Sequence, residues 1–250
     1  MNGILKNMTK PIISKLEYDI IDHCNLGCNF CIHNSQFKPK SELDVNIIED
    51  ELTCLFNKFD VEKLCLKGGE PLIHQNIMTV LSTIKKYINK DTKLSIATNG
   101  IKLSTLSPSF FILINHLNIH LCISEYEIDT DYEKIYSNLK EKEIKFTLEK
   151  KPVFWDFLDN EGNQNPVASF TDCQSRGFYP LYRDKRFYLC CFVYDVPFVN
   201  NRFKYKIESD SVSINDDVKI IMDYISHPCS TCRFCSSCIK NPKPWSKYKK

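Results

Sequence analysis

Thirteen of the 250 residues are cysteine, and they fall into groups. Cys24, Cys28 and Cys31 form a C-x3-C-x2-C spacing inside His23-Cys24-Asn25-Leu26-Gly27-Cys28-Asn29-Phe30-Cys31. A loop this compact can supply three thiolates to a cubane iron–sulfur cluster, leaving one iron open to an outside ligand; the same soft donors also suit zinc. Cys173 and the adjacent Cys190 and Cys191 come later, followed by Cys229, Cys232, Cys235 and Cys238 at C-x2-C intervals. Taken alone, that last run could be half of a zinc site. Cys54, Cys65 and Cys122 stand singly in apolar surroundings, where a small buried hydrophobe is the simpler role. The opening MNGILKNMTK has no apolar stretch of signal-peptide length, so a reducing, cytoplasmic setting is expected. Ligation then explains the cysteines better than disulfides do. Two cysteine groups suggest two sites.

Other candidates cluster around the first group. Gly68-Gly69-Glu70-Pro71 and Thr98-Asn99-Gly100 each follow a strand-like segment, and Ser124 closes another. Glycines permit close backbone approach, and a carboxylate is the natural partner of an ammonium. Glu17 and Asp19 share one face of the first strand by period-2 alternation. They could line a polar lumen and hold hydroxyls or amines, or sit on an exposed edge. His33, just past the cysteine loop, is either a substrate contact or a solvated histidine. Cys122 shares the face of Ser124; beyond packing, it could donate a hydrogen atom to a substrate in the same lumen.

The elements that must position these residues follow from periodicity. Leu16–Asp22, Glu62–Leu66, Lys93–Thr98, Asn118–Ser124 and Ile144–Glu149 are short and β-rich. Val45, Ile48, Leu52 and Leu55 recur at helical spacing between them, as do Ile77, Leu81, Ile84 and Ile88. Alternating strands and helices predict an α/β fold of βα units around a parallel sheet, with chemistry at the C-terminal strand ends. After about residue 158 the pattern changes: Leu181–Cys191 reads as a hairpin with Asp184-Lys185 at its tip, and Asn215–Ser226 as a helix. The expected division is a barrel-like domain over 1–158 and a smaller cysteine-anchored lobe over 159–250. The basic, proline-containing ending NPKPWSKYKK reads as a solvated tail.

Composition narrows the function classes. With 33 Lys+Arg against 31 Asp+Glu the net charge is only +2, which supplies no global field for nucleic acid or an acidic membrane. The apolar run Phe110–Ile114 is far too short to span a bilayer. Neither nucleic acid nor a membrane is expected as a partner.

CNLGCNFC, GGEP, TNG and a serine-bearing fourth strand, in that order, resemble the radical S-adenosylmethionine (SAM) enzymes over roughly residues 14–150. The resemblance implies a partial (β/α) barrel. It implies that Cys24, Cys28 and Cys31 hold a [4Fe–4S] cluster whose fourth iron binds SAM. Phe30 takes the aromatic position against the adenine, Gly68, Gly69 and Glu70 the place beside the methionine amino group, and Asn99 and Ser124 face the ribose or carboxylate. The later cysteines resemble the SPASM or shorter twitch lobe with its β-hairpin. That likeness implies an auxiliary [4Fe–4S] cluster on Cys173, Cys190, Cys232 and Cys235, with Cys191, Cys229 and Cys238 as alternatives. Lys185 departs from the glycine usual at the hairpin tip, and the terminal run is more compact than a full seven-cysteine arrangement, so one auxiliary cluster is expected rather than two.

The layout resembles aminocyclitol dehydrogenases and radical SAM proteins of cell-surface sugar pathways. The implied reaction is oxidation of a small polar alcohol, with the auxiliary cluster as electron acceptor and a flavodoxin or ferredoxin as electron donor. About 14 residues precede the first strand, too few for the leader-recognition domain of many peptide-modifying relatives, although that domain can be a separate protein. A peptide maturase and a non-catalytic iron–sulfur or zinc module are the alternatives.

Overall fold

The computed structural model describes residues 10–236 and 242–248. Five strands alternate with helices: β1 (Leu16–Ile21), α1 (Val45–Lys58), β2 (Lys63–Gly68), α2 (Ile77–Tyr87), β3 (Lys93–Thr98), α3 (Pro108–His116), β4 (His120–Glu125), α4 (Tyr132–Glu141) and β5 (Phe146–Lys150). One face of each strand supplies the core. Leu16, Tyr18 and Ile20, Leu64 and Leu66, Leu94 and Ile96, and Leu121 and Ile123 pack with Ile48, Leu52, Val80, Ile84, Ile114 and Leu139 of the helices. Asp44 caps α1 by accepting from the Asn46 N–H, and Asp131 caps α4 by accepting from Lys134. The alternate strand residues (Glu17, Asp19, Cys65, Lys67, Ser95, Cys122 and Ser124) face the opposite side, a concave lumen. That is why polar groups can sit in strands this central.

The second half joins the same sheet. Strands β6 (Leu181–Arg183) and β7 (Arg186–Tyr188) form the expected hairpin, and β8 (Val212–Ser213) follows. The sheet order is β8-β7-β6-β1-β2-β3-β4-β5, with β6 parallel to β1 and the β6–β8 pairings antiparallel. At the hairpin tip Asp184 and Lys185 both take positive φ, 54° and 55°, the two-residue turn whose twist suits a hairpin. Lys185 pairs with Asp50 of α1, a contact glycine could not make. Tyr182 of β6 donates to the Glu51 carbonyl at 3.0 Å and Tyr18 to the Glu51 carboxylate at 2.7 Å, so hairpin and barrel share one buried anchor.

Helices α5 (Pro166–Ser175), α6 (Cys191–Phe203) and α7 (Val218–Ser226) complete the fold. The terminal segment is not a solvated tail. Pro242–Pro244 pairs antiparallel with Val153–Trp155, and residues 245–248 run along the first cysteine loop. The Ser246 carbonyl accepts from Asn29 N–H at 2.9 Å, and Tyr248 N–H donates to the Gly27 carbonyl at 2.9 Å. Among the described residues no helix is long and apolar enough to cross a membrane.

Candidate active site

The three strand-end motifs meet because two backbones touch. Gly69 N–H donates to the Ile21 carbonyl at 2.8 Å and Glu70 N–H to the His23 carbonyl at 3.0 Å, docking the cysteine loop on the end of β2. A Cβ on Gly68 would lie 2.0 Å from the Ile21 oxygen and one on Gly69 1.8 Å from the His23 oxygen. The glycine pair is therefore demanded first by the approach of the cysteine loop itself. Glu70 then ties the next strand end. Its carboxylate accepts from Thr98 Oγ1 at 2.7 Å, Asn99 N–H at 2.7 Å and Leu72 N–H at 3.0 Å. Burial still pushes its pKa up to about 7 despite those three donors.

The result is one cleft. Cys24, Cys28 and Cys31 line it on one side, and Gly68, Gly69, Glu70, Asn99 and Ser124 on the other. Asn99 Nδ2 donates to Asn25 Oδ1 at 2.7 Å and lies 3.7 Å from Cys24 Sγ. Leu26 N–H points at Cys24 Sγ (3.4 Å) and Trp245 Nε1 at Cys28 Sγ (3.2 Å), donors that suit thiolates. As thiols, Cys24 and Cys28 are pushed up to about 11 and about 12, chiefly by burial and partly by neighbouring cysteines. Three buried sulfurs facing one space become thiolates only where positive charge is bound among them. Phe30 is not at this cleft: its backbone is left-handed (φ 56°) and it lines a neighbouring cavity with Phe37, Phe157 and Phe192. Tyr126 stands in the cleft instead, its ring 5.7 Å from Trp245 and 5.9 Å from Phe154. Sequence reasoning passed over Tyr126, although it lies two residues beyond Ser124 at a strand end.

His33 and Lys67 also line this cleft and join it to a mostly buried polar cluster. His33 Nδ1 lies 3.2 Å from Asp19 Oδ2 and Nε2 3.4 Å from Glu17 Oε1, while Lys67 Nζ is 2.8 Å from Glu17 Oε2. Burial raises the Glu17 pKa. For Asp19 burial acts the same way, but His33, Lys38 and Arg183 outweigh it and hold its pKa down. Burial works against charge on His33, yet Asp19 raises it on balance. Glu17, His33 and Cys191 offer donor atoms within 4.8 Å of one another, and Lys67 and His33 stand opposite the two carboxylates of Glu17 and Asp19. Sequence reasoning named Glu17, Asp19 and His33 but neither Lys67 nor Cys191.

Adjacent cysteines part company at the start of α6. Cys190 is surrounded by the thiols of Cys173 and Cys229, which help burial raise its pKa. The Cys191 sulfur instead lies within 4.8 Å of donor atoms of Glu17 and His33, which sets it apart from the second cysteine group. Cys229 and Cys232 sulfurs are 4.0 Å apart, and Cys173 is pushed up to about 12 by burial and then Cys235. Cys173, Cys190, Cys229, Cys232 and Cys235 thus gather around one end of α6. Cys229 belongs to this gathering as closely as the expected members do; Cys238 lies outside the described residues. Cys122 lines a lumen cavity with Ser124 and is only half-buried, so packing does not account for it.

The sequence profile of the radical SAM superfamily matches residues 18–145. The chain belongs to the radical SAM superfamily. Its members bind a [4Fe–4S] cluster and S-adenosylmethionine, and the donor set here fits: three unbridged cysteine sulfurs converge on a cleft closed by glycine backbone and by Glu70, Asn99 and Ser124. Among curated proteins the chain is 34% identical over 103 residues to the GTP 3′,8-cyclase of Bradyrhizobium diazoefficiens, covering 39% of this chain and 30% of that one. It is 32% identical over 101 residues to the GTP 3′,8-cyclase of Aquifex aeolicus, covering 39% and 31%. The match spans less than a third of either relative's length. Similar solved structures include BtrN in complex with AdoMet and 2-DOIA (20% identity, TM-score 0.45, covering 57% of this chain and 58% of that one). Another is anSMEcpe with bound AdoMet (17%, TM-score 0.44, covering 55% and 43%).

Proposed function

We propose that this radical SAM enzyme oxidises an alcohol on a small polar substrate such as a sugar or aminocyclitol, with Cys24, Cys28 and Cys31 holding the SAM-binding cluster. When bound, the cluster and SAM supply the deoxyadenosyl radical that removes hydrogen from carbon, and a second cluster supplies an electron acceptor. The observation that carries this reading is the divergence of Cys190 and Cys191. Cys190 packs with Cys229 and Cys232, while the Cys191 sulfur lies within 4.8 Å of donor atoms of Glu17 and His33, so an acceptor on Cys173, Cys190 and two of Cys229, Cys232 and Cys235 adjoins the substrate space. Glu70 and Asn99 orient the SAM end of the cleft. Lys67 and His33 hold substrate oxygens, and Glu17, whose carboxylate burial destabilises, takes the hydroxyl proton. Oxidation to a ketone would then balance: a hydrogen atom would leave to the radical that bound SAM supplies, a proton to Glu17, and an electron to the acceptor that the second thiol group would hold. A reduced flavodoxin or ferredoxin supplies the electron that starts each turnover.

The test is anaerobic turnover with candidate cyclitols and sugars. Ketone should form in step with deoxyadenosine, and Cys190→Ala should abolish ketone while retaining slow SAM cleavage. Cleavage and ketone both surviving in Cys190→Ala would sink the acceptor assignment. A second reading, a purine-nucleotide substrate, draws on the curated relatives named GTP 3′,8-cyclase. Consumption of GTP under the same conditions distinguishes it.

A further inference from the structure

The lumen continues past the substrate space to a second opening. His120, Cys122 and Ser124 alternate along β4 and so share one face. Cys122 and Ser124 line the cavity beside Lys67 and Tyr179. Cys65, Cys122 and Tyr179 also line a lower cavity of about 580 Å³ at the N-terminal ends of β2, β3 and β4. Around that lower mouth stand Lys63, Lys85, Lys90, Lys93 and Lys145, with Asp91 as the only acid among its lining residues. For a chain whose net charge is +2 over 250 residues, this is a strong local excess. The strand register sets Lys63 directly opposite Lys93, a like-charge pair that costs stability unless an anion lies between them. Among the described residues none of the five lysines makes an ion pair; Lys145 Nζ only donates to Asn118 Oδ1, at 2.7 Å. His120, at the same level, donates or accepts at Thr147 Oγ1 (3.1 Å), and burial together with Lys145 lowers its pKa.

We infer that the lower mouth binds a phosphate or diphosphate group of the substrate, whose reacting carbon stands above it near Ser124. This rests on the proposed reading for the reacting end, but anion binding itself does not. From Ser124 to His120 is four strand residues, about 13 Å, a span that a sugar or nucleoside bearing a phosphate chain can cover. Lys63, Lys90, Lys93 and Lys145 are exposed and Lys85 half-buried, so the attraction is screened by salt and serves to hold one end of an elongated molecule.

The experiment is calorimetric titration of the anaerobically reconstituted protein with inorganic pyrophosphate, at low and at physiological salt. One saturable site per chain is expected, weakened at least tenfold in Lys63→Glu/Lys93→Glu and less in Lys63→Gln/Lys93→Gln. Both variants should stay folded and bind wild-type iron on reconstitution, the Gln pair melting no lower than wild type because it removes the like-charge pair. Absence of saturable binding at low salt, or equal affinity in wild type and the charge-reversed variant, overturns the inference. Glucose 1-phosphate and GDP as competitors separate the two sources of the anion: the one that displaces pyrophosphate most tightly carries the group that the lumen reads. If neither competes better than pyrophosphate itself, the anion site does not serve the substrate and the inference fails. Pyrophosphate binding without alcohol oxidation would leave the site standing and remove the proposed reaction; oxidation of uncharged alcohols without pyrophosphate binding would do the reverse.

Discussion

Replacing Trp245 by Phe isolates one hydrogen bond to Cys28, one of the three cysteines proposed to hold the SAM-binding cluster. The indole Nε1 of Trp245 lies 3.2 Å from Cys28 Sγ, held there by the Trp245 N–H bond to the Pro152 carbonyl at 2.9 Å and by the ladder between residues 246–248 and 27–29. Phenylalanine keeps a ring against Tyr126, 5.7 Å away in the native protein, and removes only the donor. A hydrogen bond to a charged acceptor is worth about 1.5–3 kcal/mol, and it strengthens when the cluster gains an electron, because more negative charge rests on sulfur. If roughly 1 kcal/mol of it is gained only on reduction, the reduction potential should fall by about 40 mV on losing the donor. The assay is a redox titration followed by electron paramagnetic resonance, in a Cys173→Ala/Cys190→Ala background so that only the Cys24–Cys31 cluster reports. Trp245→Ala also admits water and shifts the potential for a second reason, so the Phe variant is the diagnostic one. A Trp245→Phe shift below about 10 mV, or toward positive potential, would show that the indole N–H does not stabilise the reduced cluster through Cys28.

Gly69→Ala should destabilise the apo protein by more than about 3 kcal/mol in urea titration and prevent cluster assembly, since its Cβ would sit 1.8 Å from the His23 oxygen. Glu70, raised from 4.5 to about 7 by burial, binds its proton more tightly folded than unfolded. Its contribution is therefore most favourable below pH 4.5 and is lost as pH rises to about 7, a fall of roughly 3 kcal/mol that should be missing from the pH dependence of Glu70→Gln. Cys190→Ala should halve the iron bound after reconstitution, whereas Cys191→Ser should leave iron unchanged while altering substrate affinity; equal iron loss in both would contradict their opposite facing. Cys122→Ala should leave the melting temperature nearly unchanged, because that side chain lines an open lumen; a loss above about 2 kcal/mol would mark it as core.

The parts of this protein legible in its sequence are those governed by short-range periodicity and by residues with special backbone or ligand chemistry. Alternation along Leu16–Ile21 placed Glu17 and Asp19 on one face, helical spacing located α1 and α2, and the motifs at strand ends named most of the cleft. The Asp184-Lys185 tip was readable too, because strands on either side leave two residues for a turn. Helix α6 was not, since Pro197 inside it interrupts the helical pattern. Four features needed the tertiary structure: the terminal segment laid across the cysteine loop, Tyr126 in place of Phe30, the parting of Cys190 from Cys191, and the lysine mouth below the lumen. Each depends on which distant segments pair. Pro242–Pro244 finds an unpaired edge at Val153–Trp155, and β6 pairs parallel with β1. A residue's neighbours along the chain carry its periodicity and turn chemistry, but the partner across a sheet is chosen by the burial and hydrogen bonding of the whole fold. The same long-range choice made glycine obligatory at Gly69, where the barrier is the His23 carbonyl, 46 residues earlier in the chain.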